Sequence, residues 1–155
     1  MNIRRYRVGE EETLRRLHID TTRKVNARDY TPEQIERWAS RHADPGKWKE
    51  RIRDRNPFVA ELHGAIVGFA ELEPDGHIDY FYCHHEFQRQ GVGSALMQMI
   101  TQEADRLGLA RLYASVSTTA MKFFLAKSFK IDEERNNIVC EHPAKQYLMS
   151  SDRST

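Results

Sequence analysis

The sequence predicts an α/β fold with a mixed, mostly antiparallel central sheet flanked by helices, and three observations carry that prediction. Phe58–Leu62 and Ala65–Leu72 are apolar, β-rich runs joined by His63-Gly64, which reads as a hairpin turn. A second turn, Glu73-Pro74-Asp75-Gly76, leads into Ile78–Cys83, so three strands follow one another as an antiparallel meander. A turn punctuated by Gly91 and Gly93 then opens a helix with Leu96, Met99, Ile100, Ala104 and Leu107 at helical spacing, before residues 109–116 return as a strand. Strand, helix, strand is a crossover unit, which requires these two strands to be parallel neighbours.

The remaining elements follow in order. Residues 3–8 read as a first strand, with arginines at 4, 5 and 7 diluting the alternation. Glu10-Glu11-Glu12 is an acidic first turn that opens a helix with Leu14, Leu17 and Ile19 inward and His18 packed beside that face. Residues 25–30 form the loop to the next helix, whose start is Thr31-Pro32-Glu33-Gln34. Thr31 is the N-cap, Pro32 the first helical residue, and Gln34 completes a capping box; Ile35, Trp38 and Ala39 supply the apolar side. Asp44-Pro45-Gly46 marks a turn before a short basic helix with Trp48 and Ile52 on one side. After the crossover, Ser117-Thr118-Thr119 caps a short helix over residues 120–127 that presents Phe123 and Phe124. Phe129 and Ile131 lead to a turn at Glu133-Glu134-Arg135-Asn136-Asn137. Strand pieces at 138–140 and 146–149 and a fraying polar tail from Ser150 complete the chain.

Composition narrows the function. At 155 residues and 18.2 kDa the chain fits one domain, residues 1–155, that buries about two-thirds of its unfolded surface. Twenty-four basic and 23 acidic side chains leave a net charge of +1, which supplies no basic field for nucleic acid or an anionic membrane. The first residues lack the apolar core of a signal peptide, and no run approaches the ~20 apolar residues of a membrane span, so the expected location is the cytoplasm. Cys83 and Cys140 have neither disulfide-framework nor zinc-site spacing and read as small apolar residues. His84-His85 would point to opposite sides of an extended strand with no carboxylate spacing to complete a site, so no metal is expected.

The stretch Gln88-Arg89-Gln90-Gly91-Val92-Gly93-Ser94 carries the chemistry. The first N–H groups of a helix have no intrahelical partner, and the peptide dipoles add about half a positive charge there. Glycines at 91 and 93 let those donors approach an anion, Arg89 adds a full charge, and a phosphate or pyrophosphate is the natural guest. A Walker loop needs Gly-Lys-Ser/Thr at its end, and here Gly93 is followed by Ser94-Ala95. A dinucleotide fingerprint needs a third glycine where Leu96 stands. The remaining pattern, Gln/Arg-x-x-Gly-x-Gly/Ala between strand and helix, resembles the acyl-CoA pyrophosphate loop of the GNAT superfamily of N-acetyltransferases, matched by Gln88, Gly91 and Gly93.

A second segment, Ala120-Met121-Lys122-Phe123-Phe124-Leu125-Ala126-Lys127-Ser128-Phe129, resembles the family signature Ala-x-x-Phe-Tyr-x-x-x-Gly-Phe one strand further on. The likeness covers residues 58–130 and extends to the first 57 through element order; it is nearest to small, poorly characterised bacterial members. The departures are specific. Phe124 replaces the tyrosine that protonates the leaving thiolate, Ser128 the glycine, Ser117 the asparagine that contacts the pantetheine arm, and His85 a proline after the strand. The resemblance implies the GNAT fold with its sheet splayed at Cys83, and acetyl-CoA as co-substrate. It implies pyrophosphate contacts from Arg89, Gln90, Gly91, Val92, Gly93 and Ser94, pantetheine pairing with Phe81, Tyr82 and Cys83, and further cofactor contacts from Gln88, Ser117, Phe123 and Phe124. Tyr30 and Trp38 would touch the acceptor from the helix–loop–helix wall, with core packing as their alternative role.

The implied reaction is direct attack of a neutral amine on the thioester, with a backbone N–H near Cys83 facing the oxyanion. An alkylammonium near pKa ~10.4 costs about 4 kcal/mol to deprotonate at neutral pH, whereas a thiol near ~8.5 leaves largely unassisted. The base is therefore the residue to seek. Asp79, Glu71, His77, Tyr82, His84 and Tyr147 are available, and Asp79, on the strand entering the loop, leads, with Tyr82 and Cys83 beside it. Alternation places Asp79, Phe81 and Cys83 on one face and Ile78, Tyr80 and Tyr82 on the other; pairing of Asp79 to an arginine is its bland alternative. A different class, an acyl-CoA-binding module with little turnover, also fits the loss of the tyrosine. The acceptor, a small amine or a peptide amine, is not specified, and a homodimer stays open.

Overall fold

The computed structural model describes residues 1–25, 29–40, 44–139 and 142–153; Cys140, part of the loop predicted at 25–30, and the side chains of Trp38, 137–139 and 142–144 lie outside that description. In chain order the elements are β1 (Asn2–Arg5), α1 (Glu11–Lys24), α2 (Pro32–Ser40), α3 (Pro45–Arg55), β2 (Phe58–Leu62), β3 (Ala65–Leu72), β4 (Ile78–Cys83), α4 (Val92–Leu107), β5 (Arg111–Ser117), α5 (Met121–Ala126), β6 (Lys130–Val139) and β7 (His142–Asp152). The strands form two antiparallel sheets, β1-β2-β3-β4 and β5-β7-β6. No helix of the described residues is long and apolar enough to cross a membrane.

Local chemistry sets the helix starts. Thr31 N–H donates to Gln34 Oε1 (2.9 Å) and Gln34 N–H to Thr31 Oγ1 (3.2 Å), a reciprocal capping box. Asp44, read as part of a turn, is the N-cap of α3: its carboxylate accepts from Gly46 N–H (2.9 Å) and Lys47 N–H (3.3 Å), with Pro45 opening the helix. α4 ends at Gly108 in the left-handed region. On α1 the inward residues are Leu14, Leu17 and His18, while Ile19 is only half-buried. His18 stacks on Trp48 and Tyr80 (5.6 and 5.2 Å), and a flat ring fits that slot better than a branched chain.

Two apolar clusters sandwich the first sheet. One joins β2, β3 and β4 to α4 and the second sheet through Val67, Ile78, Leu96, Ile100, Leu112 and Met149. The other joins the opposite face to α1 and α3 through Leu14, Leu17, Trp48, Ile52, Val59 and Phe69. Gly68 lies under the head of α4, where a Cβ would stand 2.8 Å from Val92 Cγ1 and 2.9 Å from Tyr82 O, so the missing side chain lets the helix settle on β3.

Several expectations need correction. β4 and β5 run parallel, yet they share a single bridge, His77–Tyr113, rather than a ladder. Beyond it the aromatic rings of Phe81, Phe123 and Phe124 are lodged together at ring-centroid separations of 5.4 to 5.7 Å, and each strand finds its partners in its own sheet. The turn predicted at 133–137 is the middle of β6, with Glu134 opposite Tyr147 and Arg135 opposite Gln146. The tail is not frayed at its start: β7 continues to Asp152, Ser150 is fully buried, and Arg153 N–H donates to Ala110 O at 2.7 Å. β1 stops at Arg5, because Arg7 N–H turns to Glu10 Oε1 (2.7 Å).

The face assignment of β4 also changes. Ala70 lies opposite Phe81 but Leu72 opposite Ile78, so two β4 residues, Asp79 and Tyr80, face the single residue Glu71. Such a bulge resets the alternation. Asp79 therefore joins Tyr80 on the α3 side, where Arg51 pairs with Asp79 and lies 4.0 Å over the Tyr80 ring, while Phe81 packs against α5.

Candidate active site

The open edge of β4 and the head of α4 face one cavity. His84 N–H donates to Val67 O at 2.7 Å, which makes that pair hydrogen-bonded. Antiparallel alternation then points the amide groups of Tyr82 at β3 and those of Phe81 and Cys83 away from it, toward the gap between the sheets. Consistent with this, Cys83 O accepts from Thr21 Oγ1 (3.2 Å) and Gln88 Nε2 (2.8 Å) rather than from β3. The Gln88 amide also reaches His84 O (3.3 Å), so this side chain braces the loop.

At the loop, Arg89 (φ 63°) and Gly91 (φ 82°) are left-handed, and Gly91 is the N-cap of α4 with open space where a Cβ would stand. The first intrahelical bond is Ala95 N–H to Gly91 O (3.0 Å), which leaves the N–H groups of Val92, Gly93 and Ser94 without an acceptor inside the helix. Gly93 has a different reason for being glycine. A Cβ there would lie 3.0 Å from the Phe123 ring and 3.5 Å from Cys83 Sγ, so the helix head presses directly on α5 and β4. Three convergent N–H donors at the positive end of a 16-residue helix, with an exposed arginine beside them, form a cradle whose field and donors suit an anion.

The cavity, about 570 Å³, runs from this cradle along β4 to α1. Its lining includes Asp79, Phe81, Tyr82, Cys83, Gln88, Arg89, Gly91, Val92, Gly93, Ser94, Ser117, Phe123 and Phe124, all singled out from the sequence. Gln90 is exposed and Tyr30 is 8% exposed, and neither lines it. The Tyr30 hydroxyl accepts from Thr118 N–H and donates to Lys145 O, both at 2.7 Å, and so ties the start of α2 to the ends of β5 and β7. Sequence reasoning missed the α1 wall of His18, Thr21 and Val25, and also Gln146. The signal for the wall was present: those three residues recur at helical spacing along one side of α1.

Electrostatics divide the site. Burial pushes the Cys83 thiol up to about 12, so it stays protonated near neutrality and is no nucleophile. Arg51 Nη2 lies 2.9 Å from Asp79 Oδ2 and 2.9 Å from Glu71 Oε2. Arg55 lies 3.7 Å from Asp79 and pairs also with Glu73. Burial pushes the Glu71 carboxyl up to about 7 against the pull of Arg51. Phe124 is 3% exposed, packed edge-on to Phe81 and Phe129, and brings no hydroxyl.

A sheet split beside a helix N-terminus, with strand amides facing the split, defines the class of acyl-CoA N-acyltransferase folds. Residues 26–139 match the acetyltransferase (GNAT) domain, and the chain belongs to that family, making it an acyltransferase. It is 28% identical over 130 residues to the uncharacterized N-acetyltransferase YafP of Escherichia coli, covering 84% of this chain and 81% of that one. Among solved structures it is similar to the GCN5-related N-acetyltransferase (aminotransferase, class-II) of Rhodopseudomonas palustris, with a TM-score of 0.93, 26% identity, and coverage of 98% and 95% of the two chains. The fold is shared with the PaiA N-acetyltransferase of Thermoplasma acidophilum in complex with coenzyme A, with a TM-score of 0.78, 17% identity and 98% coverage of both chains.

Proposed function

We propose that this protein transfers an acetyl group from acetyl-CoA to a primary amine by direct attack. The observation that carries the reading is the placement of two donor sets in one cavity: the free N–H groups at the head of α4, and the outward amides of Phe81 and Cys83. The first set suits a pyrophosphate and the second a pantetheine amide and a thioester oxygen. The coenzyme A held by the Thermoplasma acidophilum neighbour supports the same occupant here. Acetyl-CoA supplies an activated acyl group with a thiolate leaving group.

The chain's residues supply the rest. Asp79 lines the cavity and takes the proton of the acceptor ammonium. The acceptor nitrogen then bonds to the carbonyl carbon, and the Cys83 N–H donates to the carbonyl oxygen as it gains charge; as the C–S bond breaks, the nitrogen gives up its second proton to solvent and becomes a neutral amide. The thiolate takes its proton from solvent, since Phe124 has none to give. Acceptors enter on the side of His18, Thr21 and Tyr82, a wall suited to a small amine or the end of a peptide amine.

Phe124 favours a second reading, an acyl-CoA-binding module with little turnover. Calorimetric titration with acetyl-CoA, then thiol release across a panel of amines, separates the two. Binding that is lost in Gly91→Glu, with amine-dependent release, is the expected result. Binding without release for any amine selects the module, and no heat at millimolar acetyl-CoA overturns both.

A further inference from the structure

Resting on that reading, we propose that Glu71 is a positioning residue for Asp79, controlling the basicity of Asp79 by competing for the same Arg51 nitrogen. Glu71 sits on β3, 1% exposed, outside the cavity, and no step described above uses it. Its Oε1 and Oε2 lie 3.1 and 2.9 Å from Arg51 Nη2, the atom that also holds Asp79 Oδ2 at 2.9 Å. The bulge in β4 creates this geometry, because it sets Asp79 beside Glu71 instead of on the opposite face. One guanidinium nitrogen thus serves a sealed carboxyl and one that reaches the cavity.

The consequence follows from charge. With Glu71 ionised, Arg51 is shared and a second negative charge lies near Asp79, so Asp79 holds a proton more readily. With Glu71 protonated, Arg51 commits to Asp79 and weakens it as a base. The groups facing the pair are Arg51 and Arg55 from α3, Tyr80 from β4, Glu73 and His77 from the β3–β4 hairpin, and, through Tyr80, His18 from α1. Glu71 is the most buried carboxyl among them, and its own equilibrium is raised into the neutral range. The acetyl transfer should therefore switch on as Glu71 loses its proton.

The test compares the full-length protein with Glu71→Gln, using carbon-13 carboxyl NMR and the pH profile of kcat/KM for the amine. The expected result is a Glu71 signal that titrates near neutrality and moves the Asp79 signal in the same step. In Glu71→Gln the neutral limb of the profile should vanish, and kcat/KM above it should fall by about tenfold, because Arg51 then serves Asp79 alone. Acetyl-CoA affinity should stay the same. If Glu71→Gln does not fold, Asp79→Asn gives the reciprocal reading, a lowered Glu71 midpoint. A Glu71 signal already ionised at acidic pH, or one whose titration leaves Asp79 unmoved, overturns the inference. Coupled signals in a protein that releases no thiol with any amine would instead overturn the functional reading and leave the coupling standing.

Discussion

At the scale of single residues, Ser128 shows how a substitution in a family signature acts through the backbone. Phe129 N–H reaches back to Phe124 O and Ser128 N–H to Leu125 O (both 3.1 Å), the two bonds of a Schellman motif, with the Phe124 and Phe129 rings in contact at 5.0 Å. Ser128 takes the left-handed position of that motif with φ 70°, where a Cβ costs about 1 kcal/mol that glycine does not incur. Ser128→Gly should therefore raise the unfolding free energy by that amount, seen as a higher denaturant midpoint at unchanged slope, and an unchanged or lower midpoint would show that the serine is relaxed there. Phe124 and Ser128 were both legible as departures from a pattern. Their packing was not, because a signature records residue types and omits the dihedral angle and the neighbouring ring.

At the scale of elements, boundaries were read well where the residues themselves make the boundary. β2, β3 and β4 begin and end at the expected residues, since His63-Gly64 turns with both residues left-handed and the strands are apolar on at least one face. α3 starts where Asp44 caps it, and Asp44→Ala should cost about 1 kcal/mol, measured by thermal or urea unfolding, with no effect on acetyl-CoA binding because α3 does not line the cradle. β6 was read only at its end, in the strand piece that begins at Ile138, and the rest of it escaped notice for the opposite reason. Its residues 131–136 are exposed, so Glu133, Glu134, Arg135 and Asn136 carry no alternation, and only pairing with β7 makes them a strand. The bulge between β3 and β4 left no mark either, because a single residue out of register looks the same as a regular strand until the partner is known.

At the scale of the molecule, the Arg51 network ties stability to pH. Glu71 is raised by burial from its unfolded value to about 7, so between about pH 4.5 and 7 the native state binds a proton that the unfolded state has lost. The contribution of this group to stability is complete below that window and is lost as pH rises through it, the reverse of an ion-paired surface carboxylate such as Glu10, which Arg4 holds below the usual range. The unfolding free energy of the wild type relative to Glu71→Gln should fall between about pH 4.5 and 7, and equal slopes would show Glu71 already ionised in the native state. The sequence by itself determined the class of fold, the strand–turn–helix cradle and its glycines, and the aromatic pair that follows, because each depends on neighbours within a few residues along the chain. Tertiary structure alone decided that β4 and β5 part after one bridge, that Asp79 turns to Arg51 and Glu71, and that His18 and Thr21 wall the cavity. Those outcomes rest on contacts between segments far apart in the chain, where packing and paired charge choose among arrangements that local propensity leaves equal.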